Sequence, residues 1–197
     1  ISILSNASDF GDLITTPIHD LYGSTASAER LLFLGGSGPS NVIQYVEFDS
    51  KGNAADFGDL TASARSTGGH GNDTRGLRGG GADPSNTNVI DYVTYATIGN
   101  ATDFGDLTSG RQQTMPSGSN TRTVFGGGFS VTDIIDYVTT ASTGNATDFG
   151  DLSVARNGGA SVSSTTRSVF GGGATPSNSN VIDYVTIGST GNATDFG

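Results

Sequence analysis

The chain is 197 residues long, carries a formal net charge of −10 and contains no cysteine. That acidic balance argues against nucleic acid as a partner, because phosphate contacts need clustered Lys and Arg. The missing thiols exclude disulfides, zinc–thiolate sites and cysteine catalysis, and no run approaches the roughly 18 apolar residues that span a bilayer, so membrane insertion is not expected. Glycine is abundant at 31 residues, with many Ser, Thr and Asn beside it, as in a chain that reverses direction often.

In chain order, residues 1–13 form a partial unit that ends in Ser-Asp-Phe-Gly-Asp-Leu. The phrase then recurs as Asn-Ala-Ala-Asp-Phe-Gly or Asn-Ala-Thr-Asp-Phe-Gly, its phenylalanine falling at Phe10, Phe57, Phe104, Phe149 and Phe196, intervals of 47, 47, 45 and 47 residues. A period of that size marks one supersecondary unit copied and stacked, here over residues 14–60, 61–107, 108–152 and 153–197. Ile1 opens in motif-like sequence with no signal peptide. The absence of an initiator Met and the half-unit at the start point to processing or to a piece of a longer chain.

Each unit is read as four short strands joined by hairpins. The last one begins at Ser153, passes through a Gly/Ser-rich stretch to Arg167, and reaches Val169, Phe170 and a glycine run. A Pro/Ser/Asn turn follows over residues 174–180, then an apolar run over 181–187, then a Gly-Asn turn and the Asp-Phe-Gly strand. These runs are four to eight residues long, rich in β-branched and aromatic residues and bounded by turn formers; none has a helical period. In residues 181–187 both alternating sets of side chains are apolar, so both faces of the sheet are expected to be covered. The same holds over residues 89–95 and, more weakly, 42–48. A small antiparallel sheet covered on both sides is what a blade between two neighbours requires.

The order of these elements resembles the Kelch repeat of β-propellers. In that family a glycine doublet ends the second strand, a tyrosine lies in the third and an aromatic starts the fourth. The doublets match at Gly35-Gly36, Gly79-Gly80, Gly126-Gly127 and Gly171-Gly172, and the tyrosines at Tyr45, Tyr92, Tyr137 and Tyr184. The family's usual Trp is Phe throughout, and the chain has no Trp. The resemblance covers the whole chain and implies an all-β, Kelch-like propeller or propeller fragment of about four complete four-stranded blades plus a partial one. WD40 repeats fit less well, since the Trp-Asp pair is missing. The wording of the tandem copies also resembles Kelch-type arrays in structural and tail-associated proteins of marine tailed phages.

Candidate chemistry is weighed residue by residue. Asp-Phe-Gly is a kinase motif, but the only lysine is Lys51 and the motif occurs five times, which removes that reading. The glycine runs open no helix and so do not read as phosphate loops. Asp9/Asp12, Asp56/Asp59, Asp103/Asp106 and Asp148/Asp151 recur in register; beside Asn they suggest calcium, but they lack a known loop pattern and are read as hydrogen-bonding turn N–H groups. Arg65, Arg111 and Arg156 follow the Asp-Phe-Gly strand, and Arg30, Arg75, Arg122 and Arg167 precede the glycines. Repeated near Asp, they are expected to join strands or blades through charge-assisted hydrogen bonds. Sequons at Asn6, Asn72, Asn100, Asn145 and Asn192 are explained by turn chemistry. His19 and His70 are isolated, and no triad or His/carboxylate cluster stands out. No catalytic residue, cofactor site or metal site is therefore assigned. The pattern breaks at Gln44, Glu47, Asp49, Lys51 and Arg78, and in the variable stretches 112–120 and 157–164, where recognition loops are expected.

The resulting expectation is a non-enzymatic structural or interaction module, implied by the resemblance to be a virion or tail-associated component of a phage. Its expected partners are other virion or scaffold proteins, a host surface or its glycans, further copies of itself, or the rest of a larger chain. The alternative is an extracellular carbohydrate-binding propeller with repeated aromatics and Asp/Asn side chains forming a shallow site on each unit.

Overall fold

The computed structural model describes residues 7–14, 23–36, 38, 40–130 and 132–197. Among these the fold is all-β, with four four-stranded antiparallel sheets and no helix. Sheet 1 comprises β1 (Gly23–Ala26), β2 (Arg30–Gly36), β3 (Ser40–Glu47) and β4 (Ala55–Ala64). Sheet 2 comprises β5 (Gly68–Gly71), β6 (Arg75–Gly79), β7 (Val89–Thr94) and β8 (Thr102–Asp106). Sheet 3 comprises β9 (Met115–Gly118), β10 (Arg122–Gly126), β11 (Ile134–Thr139) and β12 (Thr147–Asp151). Sheet 4 starts with β13 (Ala160–Ser163) and β14 (Arg167–Gly171). A small ladder of β15 (Ala174–Thr175) and β16 (Ser177–Asn178) follows, before β17 (Ile182–Thr186) and β18 (Thr194–Asp195) complete the sheet. Within each sheet the strands pair in chain order, as a meander of hairpins.

The local sequence accounts for the turns. The second glycine of the doublet leaves its strand in the left-handed region in sheets 2 to 4, at φ +72° for Gly80 and +61° for Gly127; in sheet 1 it is the first, Gly35, at +77°. There a side chain is strained, and at Gly80 or Gly127 the backbone carbonyl of Arg111 or Arg156 would lie 2.2 or 2.4 Å from a Cβ. Between the third and fourth strands the register slips at Ile43/Gln44, Ile90/Asp91 and Ile135/Asp136. Such a bulge bends the outer strand and re-aims its side chains.

The core lies between sheets, not within one. Leu32, Leu34, Ile43, Phe57 and Leu60 of sheet 1 pack on Val93 and Tyr95 at the end of sheet 2. Leu77, Ile90, Phe104 and Leu107 pack on Phe125 and Val138 of sheet 3. Met115, Val124, Ile135, Phe149 and Leu152 pack on Phe170 and Val185 of sheet 4. Each sheet thus has a leading face toward its predecessor and a trailing face toward its successor. The first strands β1, β5, β9 and β13 lie side by side in succession.

Two expectations are corrected. The strand over residues 181–187 is covered on one face only: Asp183 and Val185 are buried, but Ile182 is 37% exposed, because no fifth sheet lies beyond it among the described residues. The copy of the phrase at residues 9–12 forms no strand of its own, although it is docked on sheet 1. Residues 1–6, with Asn6, and His19 lie outside the described residues.

Candidate functional site

The repeated phrase is an inter-sheet clasp. Each Gly-Asn-Ala turn between the third and fourth strands of one sheet lies on the Asp-Phe-Gly-Asp strand of the sheet before it. Gly144 N–H donates to the carbonyl of Phe104, and Ala146 N–H to that of Asp106, both at 2.7 Å. In return Asp106 N–H donates to Asn145 Oδ1 at 3.1 Å. Gly99, Asn100 and Ala101 make the same three bonds to Phe57 and Asp59, and Gly191, Asn192 and Ala193 to Phe149 and Asp151. The glycine of Asp-Phe-Gly permits this approach. At Gly105, φ is +143° and a Cβ would lie 2.5 Å from the Gly144 backbone. The phrase recurs because two backbones meet there.

Residues 9–12 make the clasp too. Gly52 N–H donates to Phe10 O, Ala54 N–H to Asp12 O, and Asp12 N–H to Asn53 Oδ1. The second Asp of each recurring pair, Asp12, Asp59, Asp106 or Asp151, therefore serves this joint through its backbone. Asp9, the first of its pair, accepts a turn N–H from Gly11, and Asp195 accepts one from Gly197. Among the described residues no three His, Asp or Glu side chains are placed to hold a metal ion. Asp151 is raised above its ordinary pKa by desolvation and by the carboxylates of Asp133 and Asp148.

A second joint is charged and buried. Arg111, from the link between sheets 2 and 3, pairs with Asp136 of β11 at 2.8 Å, and Arg156 pairs with Asp183 of β17 at 2.8 Å. Both carboxylates also accept from the residue that follows the preceding sheet's Asp-Leu. Thr108 gives its N–H and hydroxyl to Asp136, and Ser153 gives both to Asp183. So the expected arginine ties exist, but with the Asp of the Ile-Asp-Tyr-Val strand. Sheet 2 solves the same problem differently. Arg78, at the position occupied by Phe in sheets 3 and 4, reaches Asp91 at 2.5 Å, and Arg65 is left half-buried. Burial lowers the pKa of Arg78, with Asp91 acting against that shift. In sheet 1 the place is taken by Gln44, whose Oε1 accepts from Ile14 N–H at 2.6 Å. The breaks at Gln44 and Arg78 are thus exchanges within one buried polar joint, which sequence reasoning had left unassigned.

The second set of arginines forms a third joint. Arg30, Arg75, Arg122 and Arg167 each lie over the tyrosine of their own sheet, at 5.1, 4.5, 4.4 and 4.6 Å from the ring centre. Each tyrosine meets the clasp phenylalanine edge to face. Arg30, Arg75 and Arg122 also donate to a carbonyl of the next sheet: Tyr95, Ala141 and Ile187. Apart from Phe10 and Phe196, which are 38% and 57% exposed, the repeated aromatics are capped by guanidinium or buried, and do not offer one open stacking face per unit.

What remains unconsumed is a hollow of about 490 Å³ lined by His70, Ser119, Asn120, Thr121, Ser163 and Thr165, with Gly71, Gly118 and Ser164. Burial pushes His70 down to about 4, so its imidazole is neutral at neutral pH, and its Nε2 has no hydrogen-bond partner. The variable stretches 112–120 and 157–164 are not loops alone: they contain β9 and β13 and supply much of this wall. They also line a neighbouring hollow of about 310 Å³ that includes Gln113, Thr114 and Ser161. Both walls are rich in hydroxyl and amide groups and carry no formal charge at neutral pH. No family model matches the chain, and no curated protein matches it.

Proposed function

We propose that the chain is a non-enzymatic structural and interaction module: a Kelch-like β-propeller array that serves as a virion or tail-associated component of a tailed phage. Four antiparallel sheets joined face to face, with their first strands neighbouring one another, support the propeller reading. The resemblance of the tandem copies supports the phage setting. One observation carries the non-enzymatic reading: the repeated Arg, Asp, Asn and Tyr residues are spent on joining sheet to sheet. Variation between units is concentrated instead in the stretches that wall the hollows, where a scaffold presents recognition surface. Its partners in this reading are other virion proteins or a host surface. Mass spectrometry of purified virions of the phage that encodes the chain should detect it as a stoichiometric component; its consistent absence removes the assignment.

A carbohydrate is the second reading, supported by the Ser, Thr and Asn side chains around the larger hollow. It calls for a single site on the variable stretches, not one per unit. Glycan-array binding abolished by Ser163→Trp would establish it, and a flat array would remove it.

A further inference from the structure

Two residues ahead of their first strands, sheets 2, 3 and 4 each turn through the left-handed region, at φ +51° for Ser66, +56° for Gln113 and +65° for Gly158. These turns join the sheets: Gln113 N–H donates to the Ser66 carbonyl at 2.8 Å, and Gly158 N–H to the Gln113 carbonyl at 3.3 Å. Both bonds use backbone alone, and Gly158 shows that glycine takes the place without strain. Ser66 is buried, at 4% exposed. Gln113 is different. It holds a strained backbone, yet its side chain opens on a hollow, and its carboxamide has no hydrogen-bond partner among the described residues. A strained residue whose side chain returns nothing to the fold points to a ligand.

That hollow, of about 310 Å³, is bordered by the first strands of all four sheets, through Ser24, Gly69, Pro116 and Ser161. None of the described residues that line it is charged. Its polar groups are hydroxyls with capacity to spare. Ser24 Oγ has no partner among the described residues. Ser161 Oγ and Thr114 Oγ1 donate to the carbonyls of Pro116 and Gly79, at 2.6 and 3.4 Å, and keep lone pairs to accept with. Pro116 and Ala160 add apolar surface. A carboxamide holds a donor and an acceptor side by side, which suits two neighbouring hydroxyls, each able to donate and accept. The volume is at the small end for ligand sites and fits a single ring, not an extended chain.

We propose that Gln113 is the recognition residue of a site for one neutral sugar ring. Its carboxamide bonds two adjacent hydroxyls of the ring, Ser24 and Ser161 take others, and Pro116 and Ala160 pack under the C–H face. The uncharged wall, in a chain of net charge −10, selects a neutral hexose over a uronic or sialic acid. Gln113 and Pro116 belong to sheet 3 and the link leading into it, which has a neighbouring sheet on either side. The inference rests on the carbohydrate reading of the hollows and adds to it the deciding side chain and the charge of the sugar.

Saturation-transfer NMR and titration calorimetry on the 197-residue chain test it, with glucose, galactose, mannose and N-acetylglucosamine as neutral probes and glucuronate as the anionic one. At least one neutral sugar should bind with a Kd of about 1 mM, and glucuronate at least about tenfold more weakly. Gln113→Gly keeps the backbone conformation and should lower the affinity at least about tenfold, yet leave the denaturation midpoint no lower than in the wild type. A structural glutamine would give the reverse: a lower midpoint with binding retained. A positive glycan array that Ser163→Trp abolishes, with Gln113→Gly binding as the wild type does, sinks the inference and leaves the carbohydrate reading standing. So does a positive array with no binding of any neutral monosaccharide, or glucuronate binding as tightly as the neutral sugars. No sugar bound on the array or in solution sinks both.

Discussion

Sheets 3 and 4 have nearly the same sequence but sit in different surroundings. Ile135 and Phe149 are almost fully buried, at 0% and 2% exposed, whereas Ile182 and Phe196 in the same places are open to solvent. Gly127 has the Arg156 carbonyl pressed against it, while Gly172, with nearly the same φ, has nothing closer than 3.8 Å. The strand does not carry its own core; its neighbour supplies it. Stability in such an array is a sum of unit and interface terms, and the end unit lacks one interface.

The largest effect should come from the buried charge in an interior joint. Asp136→Ala leaves Arg111 uncompensated and should cost about 3–5 kcal/mol of unfolding free energy. Replacing both partners by apolar residues, Arg111→Met with Asp136→Leu, should recover most of that loss. Chemical denaturation of the single and double variants checks both. Equal losses would mean that hydrogen bonds to Asp136, and not its charge, hold the joint.

Next comes a contrast between His70 and Val162, which occupy the same position in sheets 2 and 4. The folded-state pKa of His70 is about 4 against an ordinary 6.5, so the unfolded chain binds the proton first. The stability this burial confers is complete above pH 6.5 and falls away as the pH drops toward 4. The loss should reach about 3 kcal/mol, measured by denaturation across that window. His70→Ser, the residue found at Ser117, should flatten the profile. Introducing histidine at the exposed end, as Val162→His, should add no comparable slope.

The smallest contrast is conformational. Gly80→Ala and Gly172→Ala place a side chain at φ +72° and +68°, a strain of about 1–2 kcal/mol each. Only Gly80 also faces a backbone carbonyl at 2.2 Å, so its variant should lose a further 1–3 kcal/mol or so through overpacking. Thermal or denaturant unfolding of the pair reads the difference directly. Equal losses would place the linker of residue 111 farther from the turn than described.

Much of this was legible in the repeat. The period, the turn formers and the short apolar runs give four strands per unit in meander order, as the sheets show. The apolar character of both strand faces anticipated covering on both sides, and failed at Ile182 because alternation records what a side chain prefers, not whether a partner is there. The polar joints were harder to read. Arg111 and Asp136 are 25 positions apart, and Asp136 draws its other partner, Thr108, from 28 positions back, at the first residue of the unit. The in-register Asp-x-x-Asp pairs attracted attention instead, although the second Asp of each serves the clasp through backbone groups that every residue has. The hollow around His70 was hidden because its wall comes from the stretches that obey the repeat least.

The clasp between sheets is tested most directly by amide hydrogen exchange at Gly144 and Ala146. Both lie in or beside a turn and bond no carbonyl of their own sheet, so their protection depends on Phe104 and Asp106 of the sheet before. The account predicts slow exchange at both, close to that of the interior β11 amides, and its selective loss in Gly105→Ala. Fast exchange at Gly144 and Ala146 in the native protein, as in a free surface turn, would contradict it.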